Sequence, residues 1–167
     1  RVFEFVAGTV SYFTMEYIRG QSLDKAIGEK EFSGEEIAKL IIQICRGLEA
    51  IHTVNVIHRD LKPANVIITE GGVAKITDFG VARPEVSKLT GHNEVVGSAG
   101  YMAPEVWLGR KVTPAVDLYS LGVVVFEIAT GTLPFDAESP GALMRLHLDR
   151  HALPIRSIKP EAPLWLN

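Results

Sequence analysis

The chain opens with two short segments rich in β-branched and aromatic residues. They cover residues 2–6 and 10–17, and Ala7-Gly8-Thr9 separates them. Alternating apolar and polar positions joined by a short Gly-containing connection are typical of a β-hairpin. We therefore predict an antiparallel hairpin whose second strand ends at Met15-Glu16-Tyr17, with Gly20 breaking the pattern after it.

The strongest helical pattern begins at Ser33. Glu36 follows three residues later, as in a capping box. Apolar residues then recur at helical spacing, as Ile37, Leu40, Ile41, Ile44, Leu48 and Ile51. This pattern predicts a helix that runs to about His52. It also predicts that Cys45, the single cysteine, is a core thiol and forms no internal disulfide.

Two short apolar runs follow the helix. Val66-Ile67-Ile68 and Ala74-Lys75-Ile76 flank the turn Glu70-Gly71-Gly72, and each predicts a small strand. The second of these strands leads directly into Asp78. The segment from Asp60 to Asn65 is therefore predicted to lie in a loop between small strands.

A second strong helix is predicted after Thr113. Thr113 is placed at the N-cap and Pro114 at the first helical position, and the pattern continues to about Ala129. Because this stretch is apolar nearly all round, we expect it to be buried on all sides. A short helix is predicted over residues 139–148, and three prolines interrupt the remainder. The fold class is therefore mainly α with small β elements (α+β).

Composition excludes several classes of protein. Hydrophobic residues make up 47% and charged residues 22% of 167 residues, which suits one globular domain. Seventeen basic and twenty acidic residues give a charge of −3 without a Lys/Arg block, so we predict no nucleic-acid binding. The longest apolar stretch, Leu118 to Phe126, is too short to span a bilayer. We expect no signal peptide, no membrane contact by this segment, and a reducing, cytoplasmic location.

Three polar motifs carry the candidate chemistry. They are His58-Arg59-Asp60-Leu61-Lys62-Pro63-Ala64-Asn65, then Asp78-Phe79-Gly80 thirteen residues after Asn65, and finally Ala103-Pro104-Glu105. Phosphoryl transfer from ATP needs a carboxylate near the acceptor hydroxyl, a Lys, and an Asn/Asp pair for Mg²⁺. The motifs supply these groups in the required order and spacing.

With these motifs the chain resembles the C-terminal lobe of a eukaryotic-like Ser/Thr protein kinase over nearly all of its length. The segment from Pro134-Phe135 to the Pro-rich end resembles bacterial members of that family. The resemblance implies that residues 1–17 are the last two strands of the N-lobe with the hinge. It implies that residues 18–167 are an incomplete C-lobe, and that the partners are ATP, Mg²⁺ and protein substrates with Ser or Thr hydroxyls.

The resemblance assigns roles around the transferred phosphate. Asp60 matches the aspartate that accepts or orients the proton of the attacking hydroxyl, although an Asp here could also only cap a loop. Lys62 would touch the transferring phosphate. Asn65 and Asp78 resemble the two protein ligands of Mg²⁺. The hydroxyl of Ser98 would bridge Asp60 and Lys62.

The resemblance also implies a nucleotide site. Met15 occupies the position that lines the back of the adenine pocket, and the backbone of Glu16 to Ile18 resembles the hinge that pairs with adenine. Ile67 would be the apolar floor under the purine, where a core Ile is equally expected. Ser22 would approach the ribose.

Further residues match regulatory and structural positions. Arg59 is typical of members regulated by phosphorylation of the activation loop, with a solvated Arg as the alternative, and Thr90 is the favoured acceptor. His58 and Phe79 match packing residues of an internal hydrophobic spine. Glu105 normally pairs with a buried Arg near the end of the domain. Asp117 normally braces the backbone of the catalytic loop.

The chain departs from a complete kinase in three respects. None of its fifteen glycines forms a Gly-x-Gly-x-x-Gly cluster, and the Lys of the third strand and its Glu partner have no counterpart. We interpret the sequence as truncated at both ends. A non-catalytic kinase-like scaffold or regulatory module is the alternative function, and the presence of both Asp60 and Asp78 favours the enzyme.

Overall fold

The computed structural model describes residues 2–7, 10–79 and 98–167. In chain order the strands are β1 Val2–Val6, β2 Tyr12–Met15, β3 Gly20–Ser22, β4 Val66–Thr69 and β5 Ala74–Ile76. The helices are α1 Leu23–Glu29, α2 Gly34–His52, α3 Pro104–Trp107, α4 Ala115–Thr130, α5 Pro140–Asp149 and α6 Ile155–Ile158. Short 3₁₀ turns cover Pro63–Asn65 and Leu164–Leu166. The α+β class with small antiparallel sheets is confirmed.

The strands form two antiparallel sheets. β1 pairs with β2, which confirms the hairpin, and β3, β4 and β5 form a second sheet in that order. Gly20, which we expected to break the strand pattern, instead begins β3 opposite Thr69. A Cβ at this position would lie 2.2 Å from the carbonyl oxygen of Ile68, so the strand pairing requires glycine.

Helix α2 has the predicted bounds and cap. The Ser33 hydroxyl accepts a hydrogen bond from the Glu36 backbone at 3.3 Å, and the Ser33 backbone donates to the Glu36 carboxylate at 2.8 Å. The apolar stripe is buried, with Ile37, Leu40, Ile44 and Leu48 inside. Cys45 is exposed, which contradicts the expectation of a core thiol. It lies one residue past Ile44 and therefore about 100° away from the buried stripe.

Helix α4 crosses the core, and two expectations about it need correction. Its N-cap is Pro114 rather than Thr113, and the Thr113 carbonyl accepts from the backbone of Val116 at 3.1 Å. Val116 and Val124 are buried, but Leu118 is 57% exposed. The helix is therefore buried on most sides and open along the stripe that contains Leu118.

The main core lies between α2, α4 and the second sheet. Its buried residues include Leu23, Ile44, Leu48, Val66 and Val124. Helix α1 was not predicted, because seven residues with only Leu23 and Ala26 buried are too few to display a helical period. The short helix near residue 140 is confirmed as α5, capped by Ser139. No helix in the described ranges has the length and apolar character needed to cross a bilayer.

Candidate active site

The loop of residues 58–65 is held by a carboxylate from the start of α4. The Asp117 side chain is fully buried, and its two oxygens accept from the backbone of His58 at 2.9 Å and of Arg59 at 2.8 Å. His52, at the end of α2, places Nε2 2.7 Å from Asp117 Oδ2. Asp117 therefore ties the 58–65 loop to both long helices.

This loop contains a strained residue. Arg59 has a φ of +68°, in the left-handed region that non-glycine residues rarely adopt. Such a conformation costs on the order of 1–3 kcal/mol and persists only where its surroundings impose it. The two hydrogen bonds to Asp117 supply that constraint immediately before Asp60.

Asp60, Lys62, Asn65 and Ser98 lie together in one polar cluster. Lys62 Nζ is 2.9 Å from the Asp60 carboxylate and donates to the Ser98 hydroxyl at 2.7 Å. Asn65 Nδ2 donates to the Asp60 carbonyl at 2.8 Å and to its carboxylate at 3.1 Å. The expected arrangement, with Ser98 between Asp60 and Lys62, needs correction. The long Lys62 side chain reaches between the other two groups and takes the central position.

The same loop is joined to the segment that carries Asp78. Thr77 donates from its backbone to the Asn65 carbonyl at 2.8 Å, and its own carbonyl lies 2.8 Å from His58 Nε2. The His58 ring is fully buried and meets the Phe79 ring edge-on, with centroids 5.4 Å apart. These contacts fix Asp78 relative to Asn65 through the two residues that flank it.

Asp78 presents its carboxylate outward. Its φ is +58°, a second left-handed residue beside the cluster, and the residue is exposed. No hydrogen bond joins its carboxylate to the other described residues. Amide and carboxylate oxygens are the donors that Mg²⁺ prefers, so the side chains of Asn65 and Asp78 fit such an ion.

The residues assigned to the nucleotide lie at the second sheet and the segment before it. Ser22 and Ile67 are directly opposite each other in β3 and β4, which places their side chains on one face. Met15 is 49% exposed at the end of β2, and Ile18 is half-buried. Glu16 accepts a hydrogen bond from Lys75 at 2.9 Å, and Lys75 lowers the pKa of this carboxyl.

The regulatory and structural assignments have mixed support. Arg59 is exposed and has no carboxylate partner in the described part of the chain, while Thr90 lies outside the described residues. Glu105 is half-buried at the start of α3, and its side chain forms no ion pair with another described residue. The phosphate partner of Arg59 and the arginine partner of Glu105 therefore stay predictions.

A half-buried pair beyond Ser98 was not predicted from the sequence. The Tyr101 hydroxyl donates to the Glu127 carboxylate at 2.6 Å, and the Ser120 hydroxyl donates to the Tyr101 carbonyl at 2.8 Å. Burial raises the pKa of both Tyr101 and Glu127. The segment after Ser98 is thus held against α4, the helix that also supplies Asp117.

Sequence reasoning also underrated His52 and Thr77. The sequence predicted His52 only as the end of the helix, but its ring contacts the carboxylate that holds the 58–65 loop. Thr77 joins that loop to Asp78. The signal for Thr77 was its position directly before Asp78, while the His52 contact spans 65 residues and has no local signature.

Comparisons with known proteins agree with this geometry. The sequence profile of the protein kinase domain matches residues 3–165. A probable serine/threonine-protein kinase of Clostridium perfringens is 41% identical over 160 residues, covering 95% of this chain and 23% of its own length. A probable serine/threonine-protein kinase of Clostridium acetobutylicum is 38% identical over 164 residues, which cover 96% of this chain and 25% of that protein. The probable serine/threonine-protein kinase PknB of Corynebacterium glutamicum is 37% identical over 150 residues, which cover 87% of this chain and 23% of that protein.

The chain spans about a quarter of the length of these curated relatives. The profile match nevertheless includes almost every residue of the chain, from β1 to the last turn. It takes in the 58–65 loop, the Asp78 segment and the helix that carries Asp117. The chain therefore belongs to the protein kinase domain family.

Proposed function

We propose that this chain is the catalytic portion of an ATP-dependent protein serine/threonine kinase. The observation that carries the proposal is the cluster of Asp60, Lys62, Asn65 and Ser98, to which the exposed residue Asp78 is joined through the backbone of Thr77. The names of the relatives from Clostridium support the same activity. Residues 1–17 would serve as the N-lobe hairpin and hinge, and residues 18–167 as the C-lobe.

In this mechanism Asp60 orients the acceptor hydroxyl and accepts its proton. Asn65 holds both the backbone and the carboxylate of Asp60, so the carboxylate is positioned before substrate arrives. Lys62 supplies positive charge to the transferring phosphate, where negative charge spreads over the equatorial oxygens. Its contact with Ser98 holds the ammonium group in the cluster.

Asn65 and Asp78 would hold Mg²⁺ by their side-chain oxygens. When bound, the ion supplies positive charge to the phosphate oxygens of the nucleotide. The buried ring of His58 and the backbone of Thr77 hold the backbone segments of the two residues together. Asp78 is exposed, and its carboxylate forms no hydrogen bond with another described residue, so it would be available to such an ion.

The nucleotide would lie on the face shared by Ser22 and Ile67. The purine would rest on Ile67, the ribose would approach Ser22, and the backbone of residues 16–18 would pair with adenine. Met15 would close the back of this pocket. A reaction that consumes ATP needs a compartment supplied with it, so we assign this portion to the cytoplasm.

The test uses the full-length protein that contains these residues, because the chain covers only part of its relatives. The protein is incubated with γ-labelled ATP, Mg²⁺ and a protein substrate that contains Ser, Thr and Tyr. Label is expected on Ser and Thr after phosphoamino-acid analysis, and none with the Asp60→Asn variant. Tight ATP binding without any transfer would contradict the proposal and support a scaffold or regulatory module.

A further inference from the structure

A salt bridge joins the segment after β2 to the second sheet. Lys75, in β5, donates from Nζ to Glu16 Oε1 at 2.9 Å, across 59 residues of sequence. Both side chains are a little over two-fifths exposed. Glu16 directly follows Met15, the end of β2, so this contact attaches the hinge segment, residues 16–18, to β5.

The strand register shows on which face Lys75 lies. Ile67 in β4 is directly opposite both Ser22 in β3 and Lys75 in β5. Residues directly opposite in antiparallel strands place their side chains on the same face of a sheet. Ser22, Ile67 and Lys75 therefore form one row, and the other face carries Val66 and Ile76, which contact the core.

The opposite end of β5 is attached to the 58–65 loop. Lys75 is three residues before Asp78, and between them Thr77 bonds to the Asn65 carbonyl and lies beside the His58 ring. Helix α2 supports the start of the strand, because the Gln43 side chain accepts from the Ala74 backbone at 2.7 Å. β5 is thus a fixed strand on which Lys75 is the group that reaches toward the hinge segment.

We propose that Lys75 is a positioning residue for the nucleotide. It acts through Glu16 to hold the hinge segment at the distance from Ile67 that adenine binding requires. The inference rests on the proposed kinase function, since it assumes that adenine pairs with residues 16–18. Lys75 touches neither the phosphates nor the acceptor hydroxyl in this role. Its substitution should therefore weaken adenine binding without changing the chemical step.

The expected effect is small and specific. An exposed ion pair contributes only a small free energy, so a Lys75→Met variant should raise the KM for ATP about two- to fivefold. Adenine contacts are the same in the ground state and the transition state, and their loss leaves kcat within about twofold. The KM for the protein substrate should not change. A purely structural role would lower the amount of folded protein and leave the KM for ATP unaltered.

The experiment measures the KM for ATP, kcat and thermal unfolding of the full-length protein and four variants. These are Lys75→Met, Glu16→Gln, the double variant, and Lys75→Arg as the conservative replacement. Lys75→Met and Glu16→Gln should each raise the KM for ATP, the double variant should resemble either single one, and Lys75→Arg should restore most of the affinity. At about 1 M salt the difference between Lys75→Met and the parent should shrink.

Lys39→Met is the matched control. Lys39 forms an exposed ion pair with Glu35 at 3.0 Å within α2, and neither residue belongs to the hinge segment or to the row of Ser22, Ile67 and Lys75, so its loss should not change the KM for ATP. An unchanged KM in Lys75→Met, or a full additive effect in the double variant, would overturn the inference while the parent remains an active kinase. A parent that neither binds ATP nor transfers phosphate would instead overturn the proposed function.

Discussion

Asn65 donates from one amide nitrogen to both the carbonyl and the carboxylate of Asp60, at 2.8 and 3.1 Å. The amide thereby fixes the side-chain orientation of Asp60 relative to its own backbone. Lys62 approaches the same carboxylate at 2.9 Å, so the proposed base is held by two neighbours from its own loop. Asn65 thus serves both the proposed metal site and the proposed proton acceptor.

The Asp60→Asn variant of the full-length protein is expected to lose turnover by about 10²–10⁴-fold, the usual loss for a general base or positioning group. ATP affinity should remain nearly unchanged, because Asp60 addresses the acceptor hydroxyl and not the adenine. Steady-state kinetics and nucleotide titration provide the two measurements. Asp149→Asn, at an exposed carboxylate on α5, is the matched control. Near-normal turnover in Asp60→Asn would remove this residue from its proposed role.

An Asp117→Asn variant should lose both stability and turnover. The replacement turns one acceptor oxygen into an N–H donor that faces the backbone donors of His58 and Arg59, or the ring of His52. An unsatisfied buried group costs about 1–3 kcal/mol of the free energy of unfolding. Denaturant unfolding and kcat test this, with exposed Asp136→Asn as control. Unchanged unfolding and kcat would mean that the loop does not depend on this brace.

The local elements of this fold were predictable from the sequence. The capping box of Ser33 and Glu36, the stripe that includes Ile44, and the β1–β2 hairpin each depend on residues close together in the chain. Propensity, capping and periodicity act over such distances, and they gave correct types and nearly correct bounds. The same applies to the motif residues Asp60 and Asp78, whose spacing is a property of the sequence itself.

Long-range contacts were beyond local reasoning. β3 pairs with β4 through a close approach of Gly20 to the backbone of Ile68, 48 positions later, which no three-residue pattern can indicate. The contact of Lys62 with Ser98 spans 36 residues, and that of Lys75 with Glu16 spans 59. Such pairs are set by how the helices and sheets pack. The resemblance placed Lys62 and Ser98 together, but it put Ser98 in the central position that Lys62 occupies.

Thr90 is expected to be autophosphorylated in the full-length protein. It lies in the segment between Asp78 and Glu105, outside the described residues, and exposed Arg59 is available to a phosphate. Mass spectrometry should find phosphate on Thr90 before other sites, and Thr90→Ala should lower activity. Ser87→Ala is the control within the same segment. If Thr90→Ala leaves phosphate stoichiometry and activity unchanged, either the site or the regulatory role is wrong.

His147 is expected to make stability fall in mild acid. The residue is 4% exposed, its Nδ1 lies 2.7 Å from the Tyr119 hydroxyl, and burial lowers the pKa of the ring. Below about pH 6.5 the unfolded chain therefore binds a proton that the folded chain resists. The stability present above that pH is lost as the pH falls through the lowered folded-state pKa.

The measurement is the unfolding midpoint of the full-length protein between pH 7.5 and 5. His147→Asn keeps an acceptor for Tyr119 but does not titrate, so it should flatten the pH dependence. His151 is an exposed histidine four residues further along the chain. The His151→Asn variant should leave the pH dependence of the unfolding midpoint unchanged. Equal slopes in all three proteins would show that another group controls the acid response.

The 167-residue polypeptide expressed by itself is expected to bind ATP weakly and to show no appreciable kinase activity, although Asp60, Asn65 and Asp78 are all present. Its sequence contains neither a Gly-rich loop nor the strand Lys that contacts the α- and β-phosphates. Asn65 and Asp78 alone do not hold the γ-phosphate in line with a hydroxyl. The rate enhancement that comes from holding the two reactants in position is therefore lost.

The same polypeptide should also tend to aggregate. Phe3, Tyr12 and Met15 in the first hairpin are 61%, 54% and 49% exposed, and exposed apolar strands favour association between chains. A radiolabelled ATP assay on the purified polypeptide, with its Asp60→Asn variant as the blank, tests the activity. Light scattering during purification tests the association. Turnover in the family's range of roughly 1–100 per second would show that residues 1–167 position ATP without the Gly-rich loop and the strand Lys.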